Sequence, residues 1–526
     1  MKREKAVRQI GAILLVFAFS LFAANATGAQ AQKAKTTSAK TLTAEQRGEL
    51  ELAVARTNPL QLRQFLKKMP KGADLHYHLS GGVYAETFIR DAVEDGLCVD
   101  VKKLAFTKCP AGEGEKTIVS ASEAYKNQSL YDQLINAFSM RSFVPYAGVS
   151  AHDHFFDAFA KFGGTNASHK AEWVDEAASR AAAQNEQYLE LMETPDFSIA
   201  AKAAAEVGWK EDLKELRDAL LAHGLKENVK SATEHLDEVE KKRRGLEHCG
   251  DAKNAAAACA VDVRFIYQVL RGFPKEIVFA QTLLGFEAAS ADQDRIAGIN
   301  FVMPEDGYIS MRDYVLQMQM VKYLHGIYPN VHITLHAGEI AYGLVPPDGL
   351  CCHIRLAVEA GAERIGHGVD VMFEDRPHEL LKEMAAKHVM VEINLTSNDM
   401  ILGVTGKNHP LPMYRQFGVP VALSTDDEGV SRIDLTNEYA RAAETYDYKY
   451  ADLKKMARTG LEHAFLPGKS LWEKRDIFVR AASECAKDTL GSETPSKSCG
   501  EFLKANEKAQ QQWELERRFH VFEADF

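Results

Sequence analysis

Eight short runs of apolar and β-branched residues recur along the chain, with helical sequence between them. No other feature constrains the fold as tightly. The runs are "ADLHYHL" (73–79), "QYLELME" (187–193), "DVRFIYQVL" (262–270), "IAGINFV" (296–302), "VHITLHA" (331–337), "RIGHGV" (364–369), "VMVEINL" (389–395) and "VPVALST" (419–425). Met311 to Tyr328 and Pro377 to Lys387 are typical of the helical stretches between them. Strands that alternate with helices build a parallel sheet, and eight such units predict an α/β fold closed as a (β/α)8 TIM barrel. The spacing is uneven, and the long gap after the first run predicts an insert at about 95–185, a candidate lid or oligomerisation element. A second gap, Ala200 to His248, is helical and charged. Leu50, Leu52, Leu60, Leu62 and Phe65 mark helices ahead of the barrel, and after Asp434 the chain reads as mostly helical.

The N-terminus reads as a leader. Lys2, Arg3, Lys5 and Arg8 precede the apolar "IGAILLVFAFSLFAA", and the small-residue sites "ANA" and "AQA" follow it. The apolar run is short for a membrane span. The expected organisation is therefore a leader and cleavage region (1–31), an N-terminal arm with helices (32–69), and a barrel domain (70–526). The expected location is exported, periplasmic or secreted, with no stable membrane association after cleavage. The leader carries a net +3, so its removal takes the formal charge from −11 to −14. Such a chain is a poor phosphate-neutralising surface, which argues against nucleic-acid partners. The basic run "EKKRRG" (240–245) lies among acidic residues and reads as a solvated helix face. Eight cysteines in an exported chain suggest disulfides. Cys98 with Cys109, Cys249 with Cys259, and Cys485 with Cys499 lie close in sequence; Cys351 and Cys352 are adjacent with no evident partner.

In a barrel of this kind chemistry gathers at the C-terminal ends of the strands. The first run ends in His76 and His78, two apart and so on one face. The fifth ends in "HAGE", with His336 and Glu339. The sixth holds "GHG", with His367, and the eighth ends in "STDD", with Asp426 and Asp427. Imidazoles with a carboxylate suit a zinc ion that keeps one position open for water, and Glu339 lies within reach as a proton donor. His152 and His154 in "AHDHFFDAF" sit in helical sequence, where residues two apart do not share a face, so capping is expected there rather than metal binding. Glu190 and Glu193 are expected to line the barrel, within possible reach of substrate.

The ordered set "MPKGADLHYHLSGG", "HAGE", "RIGHGVD", "NLTSN" and "LSTDD" resembles the adenosine deaminase family of metal-dependent amidohydrolases, over roughly Met69 to Gly429. The exported context and the cysteine-bearing insert resemble its secreted branch, the adenosine deaminase-related growth factors. The resemblance implies one Zn2+ per chain on His76, His78, His336 and Asp426. It implies catalytic roles for three residues. Glu339 would be the acid at the purine ring nitrogen, and His367 would orient or deprotonate the attacking water. Asp427 would hydrogen-bond both purine and nucleophile. It places His78, Ser80, Met303 and Asp427 at the substrate, a small purine nucleoside, and a homodimer is expected from the secreted branch.

Two positions depart from the family pattern. Ser80 stands where an acidic residue usually holds the ribose, and Met303 stands where a glycine usually offers its N–H to the purine. The expected reaction is hydrolytic deamination of adenosine or deoxyadenosine. The alternatives are deamination of another aminopurine, another amidohydrolase-type hydrolysis, or a binding role with a vestigial pocket. "IAGINFVMPE" lacks the metal-bridging lysine of two-metal relatives, and the H-x-E…P-C-x-x-C signature of cytidine-type deaminases is absent.

Overall fold

The computed structural model describes residues 42–111, 117–165 and 167–526. The leader and residues 32–41 of the arm lie outside the described residues. Thr43–Phe526 packs as one compact unit.

The eight runs are eight strands: β1 (Gly72–His78), β2 (Glu186–Glu193), β3 (Asp262–Leu270), β4 (Ile296–Val302), β5 (His332–Ala337), β6 (Arg364–His367), β7 (Met390–Ile393) and β8 (Val421–Leu423). Each pairs in parallel with the next in chain order. The ring is joined just beyond β8: Asp426 N–H donates to His76 O at 2.8 Å, and His78 N–H donates to Asp426 O at 3.1 Å. This parallel bridge at Tyr77 and Asp426 makes the expected (β/α)8 barrel. Helices cover the outside, so β1 and β2 are buried along their whole length, the polar residues they carry included.

Charge is carried into the barrel interior by one buried chain. Glu190 of β2 holds Arg364 of β6 at 2.5 Å, and Arg364 Nε reaches Glu392 Oε1 of β7 at 2.6 Å. All three side chains are fully buried, and each charge meets an opposite one. Glu190 therefore anchors the barrel, and Glu193 pairs with Lys170. Neither lines the cavity described below.

The segment between β1 and β2 holds a three-stranded antiparallel sheet (Cys98–Asp100 between Ala105–Thr107 and Ile118–Ser120) and then the helix Ala151–Phe162. Ser150 and Asp153 form a reciprocal cap that fixes the start of that helix. Helices Ala44–Ala55 and Pro59–Lys68 precede the barrel, as expected. The three cysteine pairs close in sequence are disulfides, and Cys351 is bonded to Cys352.

The C-terminal segment is mostly helical and also carries a hairpin, Trp472–Lys474 with Ile477–Ala481. One expectation needs correction: the run 240–245 is not wholly solvated. Arg243 is fully buried between Glu240 and Glu247, one turn to either side, so the acidic residues that suggested a solvated face are the ones that neutralise it. Among the described residues no helix is long and apolar enough to cross a membrane.

Candidate metal centre and active site

The bridge that joins the barrel also assembles the site. β1 is irregular between Asp74 and Tyr77, and such a bulge re-aims side chains at a strand end. The Oδ1 atom of Asp426 lies 3.4 Å from His76 Nε2 and 3.2 Å from His78 Nε2, and His78 Nε2 lies 3.2 Å from His336 Nε2. Gly366 makes room for this packing: a Cβ there would stand 2.5 Å from His76 Cε1.

The partners of the opposite ring nitrogens tell what these atoms are for. His76 Nδ1 meets Glu392 Oε2 at 2.6 Å, a carboxylate that only accepts. His336 Nδ1 meets Asn300 Oδ1 at 2.8 Å, and the same oxygen accepts from His336 N–H at 3.1 Å, which fixes it as the carbonyl. His78 Nδ1 meets Gln268 Oε1 at 2.6 Å, while Gln268 Nε2 donates to Thr194. All three Nδ1 atoms therefore carry protons, and all three Nε2 atoms turn bare lone pairs towards Asp426. Two bare nitrogens 3.2 Å apart cannot satisfy each other, and a shared cation reconciles them. The donor separations also fit, because ligands at about 2.0–2.1 Å from a tetrahedral zinc stand about 3.3–3.4 Å apart. Outer partners of this kind orient metal-binding histidines.

Electrostatics agree with a site built for positive charge. Burial opposes positive charge on His76, but Asp426 and Glu392 outweigh it and raise its pKa to about 10, so without a cation at Nε2 the ring takes a second proton there, which a bound metal ion would displace. Burial drives His336 far down, with His76 and His78 adding to the effect. Burial likewise opposes ionisation of Asp426, yet the surrounding imidazoles hold it well below the usual carboxylate range.

Glu339 stands at the edge of this cluster. Burial pushes its carboxyl well above the ordinary range, and Asp426 and Glu305 reinforce the shift, which favours the protonated acid. Its backbone is held by Glu305, which accepts from Gly338 N–H at 3.0 Å and Glu339 N–H at 2.7 Å. His353 also pairs with Glu305 and, against the cost of burial, holds it ionised at about 2. His367 Nε2 lies 3.6 Å from Glu339 Oε1 and 3.8 Å from Asp426 Oδ2. Burial takes His367 down to about 3. Asp427 is raised to about 7 by burial and by Asp426, and its Oδ1 is buried without a partner. Gly81 is required beneath it, since a Cβ there would overlap Asp427 Oδ1 at 1.6 Å.

A cavity of about 500 Å3 opens onto these groups. His78, Ser80, Met303, His336, Glu339, Asp426 and Asp427 line it, while His76 and His367 lie buried behind. Its other wall is apolar, with Phe155, Phe156 and Phe159 from the helix Ala151–Phe162 facing Leu270 and Val302. That helix is the cap expected from "AHDHFFDAF". His152 Nε2 meets Asp306 at 3.1 Å, and His154 bonds the Asn136 and Ser139 carbonyls. Neither histidine joins the metal cluster. Met303 keeps a glycine-like backbone, with φ at +91°, and turns its sulfur to accept from Gly272 N–H at 3.3 Å. His367 (φ +67°) and Asp426 (φ +63°) are also left-handed, strain of the sort that collects at functional sites.

Glu392, Asn300, Gln268 and Glu305 have positioning roles that the sequence reading did not assign. Inward-facing polar residues within apolar strands were the available signal for the first three; Glu305 follows β4 directly.

The chain matches the family described as adenosine deaminase over residues 171–478. An adenosine deaminase of Escherichia coli is 38% identical over 154 residues, a match that spans 29% of this chain and 42% of that protein's length. The Arabidopsis protein ADAL, solved with GMP, aligns at 21% identity with a TM-score of 0.48, covering 76% of this chain and 94% of its own. An adenine deaminase from Arthrobacter aurescens aligns at 17% identity with a TM-score of 0.44, covering 75% and 94%. The family match begins downstream of β1, and the barrel brings His76 and His78 back to the matched residues. With more than half of its length matched and its rim residues gathered at one centre, the chain belongs to the adenosine deaminase family.

Proposed function

We propose that the chain is a zinc-dependent hydrolase that converts adenosine or deoxyadenosine to inosine or deoxyinosine and ammonia. One observation carries this reading: three imidazole nitrogens and the Asp426 carboxylate converge beside Glu339, whose carboxyl burial biases towards the acid form, at the floor of a purine-sized cavity. When bound by His76, His78, His336 and Asp426, zinc would supply a water that ionises near neutral pH.

The chain's own groups do the rest. Glu339 gives its proton to the ring nitrogen next to the amino-bearing carbon, making that carbon electrophilic. Asp427, which lines the cavity, accepts from the nucleophile or the purine. His367 stands where charge develops on the attacked carbon's substituents. The C–N bond then breaks, ammonia leaves with one proton from the attacking water, and the water's other proton restores Glu339. Among the described residues no lysine or arginine lines the cavity, which favours an uncharged nucleoside over a nucleotide.

Ser80 and Met303 favour a second substrate, another uncharged aminopurine, over a change of reaction. The test is turnover of adenosine, deoxyadenosine, adenine, AMP and methylated analogues by purified mature protein, with and without chelator. Loss of the adenine absorbance on adenosine supports the reading; no turnover of any of them by zinc-loaded protein overturns it. The pairing of all eight cysteines supports an exported protein, in keeping with the secreted growth-factor branch, and fractionation of expressing cells tests it. A homodimer is the expected assembly, read out by light scattering.

A further inference from the structure

His367 differs from the three metal-facing histidines in one respect. Their Nδ1 atoms meet acceptors, whereas its Nδ1 meets the Nδ2 amide of Asn398 at 2.9 Å. The assignment of that amide need not be assumed, because a backbone group sets it. Leu411 N–H can only donate, and it donates to His409 Nδ1 at 3.1 Å. That nitrogen must therefore be bare, so the proton of neutral His409 is on Nε2. His409 Nε2–H meets Asn398 Oδ1 at 2.9 Å, which makes that atom the carbonyl. Asn398 Nδ2 then donates to His367 Nδ1, and the His367 proton is left on Nε2. Asn394 Nδ2 lies across the ring, 3.5 Å from Nδ1 and 3.4 Å from Nε2, too evenly placed to choose between them. His409, Asn398 and His367 are all buried, so water does not compete for the chain.

We infer that Asn398 and His409 are positioning residues which lock His367 in the tautomer with its proton on Nε2, facing Glu339 and Asp426. Two consequences follow. A protonated Nε2 has no lone pair to offer a metal, so His367 stays outside the shell although it sits among the ligands. It also presents a hydrogen-bond donor to the reaction centre in the resting enzyme, and it can act as a base only after giving that proton up. The relay starts at a backbone amide and passes through two side chains that touch neither metal ligands nor the cavity lining.

The kinetic part of this inference rests on the deaminase reading; the proton's position does not. Asn398→Asp is nearly isosteric and presents an acceptor to His367 Nδ1, which reverses the relay. Neutron diffraction from deuterated, zinc-loaded crystals locates the proton directly. The wild type should show deuterium on Nε2 of His367 and of His409, and Asn398→Asp should show it on Nδ1 of His367. Turnover by Asn398→Asp should fall roughly 10²-fold or more, with KM within about threefold and zinc content unchanged, in the range of a lost acid–base group. A second pair separates the relay from folding. His409→Gln retains an acceptor and a donor and should keep most of kcat, whereas His409→Leu should lose it. Wild-type deuterium on Nδ1 of His367 overturns the inference, as does an unchanged kcat in both Asn398→Asp and His409→Leu. If the wild type deaminates none of the adenosine-like substrates, the proposed function fails, and the diffraction result still decides the relay.

Discussion

Glu392 accepts the Nδ1 proton of His76 at 2.6 Å with one oxygen and takes the Nε of Arg364 at 2.6 Å with the other. The carboxylate thus links the barrel's interior ion pair to the metal-facing edge of the first strand. Glu392→Gln keeps an acceptor for His76 but removes the charge. Zinc affinity should drop by roughly 10–100-fold in chelator competition, the usual cost of losing an outer partner of a metal-binding histidine. Glu190 still neutralises Arg364, so the fold should persist, which circular dichroism checks.

Glu339→Gln should leave zinc content and KM little changed and lower kcat by about 10²–10⁴-fold, the contribution of a positioned proton donor. The wild-type profile carries a sign. Glu339 has a raised pKa and acts as the protonated acid, so activity should fall as rising pH ionises it, later than an ordinary carboxyl would. Glu305 is one of the charges raising that pKa. Glu305→Gln should therefore move the alkaline limb to lower pH in rate measurements.

Met303→Gly tests a trade between backbone and side chain. Holding a non-glycine residue at positive φ costs about 1–2 kcal/mol, and removing that strain offsets part of the packing lost with the side chain. Stability should change by no more than about 1 kcal/mol in urea melts, although a cavity-lining methionine has gone. The opened wall should lower KM for the better substrates in the purine panel.

Acid should unfold this protein partly through His409. Burial lowers its pKa to about 3, against an ordinary value of 6.5. The folded state therefore binds a proton less readily than the unfolded chain. The stability that this provides is complete above pH 6.5 and is lost as pH falls towards 3. Between pH 6.5 and pH 4 the loss is on the order of 3 kcal/mol. His409→Gln has nothing to titrate there, so its melting temperature should decline less than the wild type's over that window.

The barrel was legible because a parallel sheet buried on both faces leaves continuous apolar runs, and Asp262–Leu270 and Ile296–Val302 coincide with the runs residue for residue. The rim residues were legible because strand ends gather in one plane once the fold class is known. Their outer partners were not. Glu392, Asn300 and Gln268 sit inside strands, and sequence does not say which inward side chain of one strand lies beneath which of another. Arg243 went the same way: its partners are one turn off along the helix, but nothing local says which face that helix buries. Cys351 found its partner next door, where no loop-closure argument would look. The C-terminal hairpin is short and exposed, with Val479 at 77% exposure, so it carries no burial pattern to betray it.

The rung between Tyr77 and Asp426 joins the first strand of the barrel to the residue just past the last. During synthesis His76 and His78 leave the ribosome some 350 residues before Asp426 does. No chain that stops short of the "STDD" segment can hold the complete donor set, whatever else it has folded. The reaction centre is thus reserved for finished molecules, and an abandoned fragment has the histidines but not the carboxylate that gathers them.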